Sequence, residues 1–222
     1  MLRLTNLAIT NNKKFHIGVD LGWKEKRTTG VCISEGEKII LAKDVLGKNL
    51  LKTISPYLKN TAVIAIDAPL TRGRGKGKMR LYEKFLSTSL FRQAKVNPTP
   101  PALMGKFHSF AMEITKNLAE KSFVLGLNLI ETFPTLIRKI CREDFCKKKE
   151  SFKNENQQSA FLCARVAFLH SAFKTRWLGY KDGFLFLPEM SFWKKEWRDI
   201  FYRAWKERPR LKYHHLISNI FK

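Results

Sequence analysis

Residues 61–69 read T-A-V-I-A-I-D-A-P. The first six form an apolar run too short for a helix and closed by Asp67 and Pro69, which predicts a buried central strand presenting Asp67 at its C-terminal end. Toward the N-terminus, residues 15–21 (F-H-I-G-V-D-L) predict another strand ending on a carboxylate, Asp20. Residues 27–34, rich in Thr and Val, predict a strand that turns at Glu35–Gly36 into a third over residues 38–45. Leu50, Leu51, Ile54 and Leu58 then recur at the spacing of a helix face. A hairpin meander, a helix and a buried strand together specify a mixed α/β sheet.

C-terminal to this frame, residues 71–80 (T-R-G-R-G-K-G-K-M-R) alternate cations with glycine and predict a loop. Helices are expected over residues 81–91 and 105–121, separated by the prolines at 98–101. A fifth strand is expected over residues 128–132, holding Glu131, followed by a helix over 136–145. Residues 146–158 are polar and basic, 159–174 read as an apolar helix, and 183–188 as a short strand. Trp193, Trp197, Ile200, Phe201, Ala204 and Trp205 line one face of a helix over 191–207. Such a stripe fits docking onto the body of the protein better than base stacking. The expected organisation is one domain over residues 15–190 with a basic, aromatic helical extension over 191–222.

The chain has 222 residues, with 42 Lys and Arg against 19 Asp and Glu, a net charge of +23. A hydrophobic fraction of 44% with seventeen Phe supports a proper core and excludes a disordered basic tail. No run approaches the ~18 apolar residues of a membrane span, and the first fourteen residues resemble neither a signal peptide nor an anchor. A soluble, cytoplasmic protein with no membrane partner is expected. Cys32, Cys141, Cys146 and Cys163 form no C-x-x-C pair, and the five His show no H-E-x-x-H spacing, so reduced thiols and no zinc site are expected. No G-x-S-x-G motif is present for covalent catalysis. So large a cationic surplus calls for an anionic partner, and nucleic acid is the commonest. A rival is an acidic protein partner.

In a basic chain, carboxylates gathered at strand ends suit hard-cation ligation. Mg²⁺ or Mn²⁺ takes one or two carboxylates together with water and substrate phosphate oxygens. Two such ions activate water on one side of a phosphodiester and stabilise the leaving oxygen on the other. Asp20, Asp67 and Glu131 are the candidates, although each alone also fits a turn cap.

Several motifs occur in order: G-V-D-L-G-W-K-E-K-R-T-T-G-V-C-I (residues 18–33), A-I-D-A-P-L (65–70), R-L-Y-E (80–83), N-P-T-P-P (97–101) and E-T-F-P (131–134), followed by an A-x-x-C-A-x-x-A helix (160–167). Together they resemble the domain-of-unknown-function 429 family, whose members are regarded as predicted nucleases of RNase H-like fold. The likeness spans residues 15–188. It implies a five-stranded RNase H-like sheet flanked by helices, with Asp20 as central metal ligand, Asp67 beside it and Glu131 supporting the cluster. It also implies that Arg80 clamps a phosphate and Glu83 orients it; read without the family, the two are a helix i, i+3 pair. One position departs from the family: Ser159 stands where an acid is expected, which leaves Glu155, four residues earlier, as the substitute ligand.

Arg72, Arg74, Lys76, Lys78 and Arg80 are the candidate nucleic-acid contacts on the glycine-laced loop, joined by Trp23 just after Asp20. The expected function is metal-dependent hydrolysis of DNA or RNA phosphodiesters. The alternative is a catalytically weakened RNase H-like protein that binds nucleic acid without cutting it, consistent with Ser159.

Overall fold

The computed structural model describes residues 13–72, 79–146, 152–208 and 215–221. Strands β1 (Phe15–Asp20), β2 (Thr29–Glu35) and β3 (Lys38–Val45) form the antiparallel meander that the turn at Glu35–Gly36 requires. Helix α1 (Leu50–Leu58) then carries the chain across, so that β4 (Thr61–Asp67) returns parallel to β1. Strand β5 (Leu129–Glu131) lies parallel to β4. The first five strands agree with the expected sheet, but the sheet does not stop there. Strands β6 (Thr175–Tyr180) and β7 (Gly183–Pro188) form a hairpin whose β7 lies parallel to β5, and β8 (Ile217–Ser218) pairs with β6. Among the described residues the sheet has eight strands in the order β3-β2-β1-β4-β5-β7-β6-β8, not five.

Alternation along the central strands divides the interior into two cores, since successive side chains leave a strand on opposite faces. Ile17, Val19, Ile64, Ile66 and Leu129 pack with α1 and with α4 (Gly105–Ala119). Ala65 and Ile130 face the other way, toward α7 (Glu155–Ser171), in a core cluster that also takes in α2 (Leu81–Leu86) and α5 (Pro134–Ile140). The expected helix over 81–91 is two pieces, α2 and α3 (Ser89–Gln93), and that over 136–145 is α5 followed by α6 (Glu143–Cys146).

Helix α7 lies unusually close to the sheet. A Cβ on Gly18 would sit 2.0 Å from the Ala160 carbonyl oxygen and 2.1 Å from the Ala164 nitrogen. One on Gly30 would meet the Asn156 carbonyl oxygen at 2.2 Å. These glycines, with the small side chains of the A-x-x-C-A-x-x-A motif, let the helix backbone settle onto β1 and β2. The helix begins at Glu155 and not at 159, because Asn154 caps it: its Oδ1 accepts the Gln157 N–H at 3.0 Å.

The described part of the expected C-terminal extension packs onto the body of the protein. Helix α8 (Lys195–Glu207) buries Trp197, Phe201 and Ala204 in the same core as Phe85 and Phe91, with Phe201 and Phe91 ring centroids 4.9 Å apart. Trp193 is fully buried and donates its indole N–H to the Pro188 carbonyl at 2.8 Å. Lys195, Arg203 and Lys206 on the exposed face of α8 are balanced by Glu196, Asp199 and Glu207. No helix among the described residues is long and apolar enough to cross a membrane.

Candidate active site

The ladder pairs Asp20 directly with Asp67, in register at the C-terminal ends of β1 and β4. Residues opposite one another in a ladder project to the same face, so both carboxylates point toward α7. The row extends farther: Asp20 pairs with Gly30 on β2, and Gly30 with Asp44 on β3. Three aspartates therefore span four strands beneath the first turn of α7. The side-chain-free position at Gly30 makes room for that turn. Asp44 ties the helix down, its Oδ2 accepting from Asn154 Nδ2 at 2.7 Å and Gln157 Nε2 at 2.8 Å. Its Oδ1 is buried with no hydrogen-bond partner among the described residues.

Ser159 is one turn into α7 and buried. Its Oγ accepts from Arg138 Nη2 of α5, and its hydroxyl gives hydrogen-bond support to Asp20. Burial pushes the Asp20 carboxyl up to about 6; Arg138 and Ser159 oppose the shift, while Asp44 and Glu155 add to it. Asp67 is pushed well above the ordinary carboxylate range, first by burial and then by the charges of Asp20 and Glu131, with Arg138 opposing. Two desolvated acids side by side cannot both ionise cheaply without a cation. Arg138 supplies one positive charge to the pair, and the remaining deficit suits a further cation.

Glu131 does something else. Its ladder partner is Ile66, not Asp67, so the pleat turns its side chain to the face opposite the aspartate pair. There its carboxylate is saturated. Oε1 accepts from Arg80 Nη2 at 2.7 Å and from the Tyr82 hydroxyl, and Oε2 from Arg80 Nη1 at 2.7 Å and the Leu70 N–H at 3.0 Å. Arg80, only 1% exposed, also donates from Nε and Nη2 to Glu83 Oε1 at 2.9 and 2.6 Å. Thr71 completes the closure: it accepts from Arg80 Nη1 at 3.0 Å and donates to the Asp182 carbonyl at 2.7 Å. Glu131 is thus not placed as a free metal ligand, and Arg80 is not a surface phosphate clamp. The two form a buried clasp, supported by Glu83, that draws together Leu70 and Arg80 on either side of the glycine-laced segment.

Of the other expected contacts, Trp23 is 53% exposed in the loop directly after Asp20, its ring 6.5 Å from that of Phe107. Arg72 is exposed. Arg74, Lys76 and Lys78 lie outside the described residues. The loops at this end of the sheet also carry exposed Lys24, Lys26, Arg27, Lys48 and Lys153. Lys24 is paired with Glu113 at 2.9 Å and Lys48 with Glu25 at 2.8 Å. Glu155 is exposed on the first turn of α7, and its charge reaches Asp20.

Among the described residues, no group of three or more His, Cys, Asp or Glu side chains gathers so as to hold a metal ion. The expected ligand set of Asp20, Asp67, Glu131 and Glu155 is therefore not assembled. The Asp20–Asp67 pair alone meets the smaller demand of one Mg²⁺ or Mn²⁺, which accepts two carboxylates and completes its shell with water and phosphate oxygens. Sequence reading missed Arg138 and Asp44. Asp44 was hidden by a β-bulge: the register of β2 with β3 shifts between Ile33 and Ser34, whose partners are Leu41 and Ile39. An unbroken hairpin register would have set Lys43 opposite Gly30. Arg138 offered no signal beyond its place on the helix after β5. Comparison with protein-family profiles, curated proteins and solved structures finds no match for this chain, and the likeness to the domain-of-unknown-function 429 family rests on its motifs alone.

Proposed function

We propose that the chain is a metal-dependent nuclease of RNase H-like architecture, hydrolysing DNA or RNA phosphodiesters at the Asp20–Asp67 pair. The observation that carries this reading is the in-register pairing of two desolvated, undercompensated aspartates at the ends of parallel strands in a chain of net charge +23. A bound Mg²⁺ or Mn²⁺ would be held by Asp20 and Asp67 and would supply charge for the phosphate and a lowered pKa for water. The protein's own groups orient the reaction. Ser159 holds Asp20, Arg138 balances the pair, Asp44 fixes α7 over it, and the cations of the surrounding loops hold the nucleic-acid backbone. Hydrolysis adds water across one P–O bond: the water oxygen joins phosphorus, the sugar oxygen leaves with a proton, and a phosphate monoester remains.

A second reading, binding without cleavage, is favoured by one specific arrangement: Glu131 is saturated by Arg80, and Ser159 binds an arginine where a third carboxylate would otherwise ligate metal. Cleavage of labelled single-stranded, duplex and branched DNA and RNA in Mg²⁺ or Mn²⁺ separates the two. Cutting by the wild type and not by Asp20→Asn supports the nuclease. Equal cutting by both overturns the site, and salt-sensitive binding with no cutting selects the second reading.

A further inference from the structure

Arg80 and Arg138 are two partly or wholly sequestered guanidinium groups near strand-end acids, and their partners differ in kind. Arg80 is closed on two carboxylates. The charge of Arg138 acts on both Asp20 and Asp67, yet among the described residues no carboxylate lies within ion-pair distance of it. Its hydrogen bond runs instead to a neutral hydroxyl, Ser159 Oγ. Its Nε is buried without a hydrogen-bond partner among the described residues, while the side chain as a whole remains partly open to solvent. A guanidinium is a planar fork of five donors suited to bidentate binding of carboxylate or phosphate. Here the fork is anchored through one nitrogen to Ser159, the residue that supports Asp20, and leaves donor capacity unused.

We propose that Arg138 is the phosphate-docking residue of this site, taking a non-bridging oxygen of the phosphodiester that lies over the Asp20–Asp67 pair. The proposal rests on the reading of that pair as the place where nucleic acid is engaged. Arg138 would then stabilise phosphate charge from the protein side, a task that a second divalent ion performs in two-metal centres. For the two carboxylates of the pair itself, one ion and one arginine balance the charge better than two ions.

The test is binding of a fluorescein-labelled 20-nucleotide single strand, DNA and RNA in turn, in Ca²⁺ across a salt series. Wild type, Arg138→Gln and Arg138→Lys are compared, with circular dichroism on each sample. Arg138→Gln should bind about tenfold more weakly and show a salt slope shallower by about one phosphate contact. Arg138→Lys keeps the charge without the fork, so it should keep the slope and lose part of the affinity; it carries the test if the Gln variant fails to fold. In Mn²⁺, the Gln variant should also lose about 100-fold in cleavage rate. Wild-type affinity and slope in Arg138→Gln, or in its absence wild-type affinity in Arg138→Lys, would overturn the proposal and leave Arg138 as a counter-ion only. Absence of cleavage by the wild type would instead remove the hydrolytic reading, while the binding arm still decides Arg138.

Discussion

Two clusters of charge, one buried and one partly buried, lie on neighbouring strands of one sheet and differ in how fully their acids are hydrogen-bonded. At the end of β5, Glu131 receives four hydrogen bonds from Arg80, Tyr82 and the backbone of Leu70, so both its oxygens are fully partnered. At the ends of β1 and β4, Asp20 and Asp67 are side by side with one arginine and one serine to offset them. One residue of register separates the two outcomes, because Glu131 is opposite Ile66 and leaves the sheet on the other face. Hydrogen-bond saturation at Glu131 holds the chain together; the sparser support of Asp20 and Asp67 leaves an appetite for cations.

The largest expected effect follows from breaking the clasp. Glu131→Ala leaves Arg80 with only Glu83 and Thr71 as side-chain partners and strips the Tyr82 hydroxyl and Leu70 N–H of theirs, so it should destabilise the fold by about 3–5 kcal/mol, measured by urea unfolding. A loss below about 1 kcal/mol would mean that the clasp is incidental. The aspartate pair should respond with the opposite sign. Asp67→Asn removes one of two like charges, and at pH 7 without divalent metal it should stabilise the protein by about 1–2 kcal/mol. Destabilisation of that size would show that Arg138 already satisfies the pair.

A smaller, pH-dependent effect sharpens the contrast. Because the folded-state pKa of Asp20 is raised to about 6, the folded protein holds that proton more tightly than the unfolded chain. The resulting stability is fully present below the ordinary carboxylate range and is lost as pH rises through about 6. The stability of Asp20→Asn relative to wild type should therefore grow between pH 4 and 6 and level off above it. Thermal melts of both proteins in metal-free buffer across that range give the comparison, and a difference that is flat with pH would contradict the shift.

Much of the frame was legible because it is written in local patterns. The apolar run before Asp67, the small and apolar residues before Asp20 and the turn at Glu35–Gly36 specified four strands and the helix between them. The carboxylates at the ends of two adjacent strands followed from the same reading. Less legible were features set by register and by distant packing. A bulge decided that Asp44, not Lys43, joins the row, and Glu131 changed faces through pairing with Ile66. Arg80 reads as a loop cation until Glu131, 51 residues away, is brought against it. Strand β6 carries T-R-W-L-G-Y, which alternates too weakly to announce itself, and β8 is two residues long.

The most direct test of the account is a count of bound Mn²⁺ by electron paramagnetic resonance in wild type, Asp67→Asn and Glu131→Gln, each checked for folding by circular dichroism. One ion is expected in wild type and in Glu131→Gln, and none in Asp67→Asn. No bound ion in the wild type, or loss of binding with Glu131→Gln while Asp67→Asn retains it, would contradict the division of roles between the two clusters.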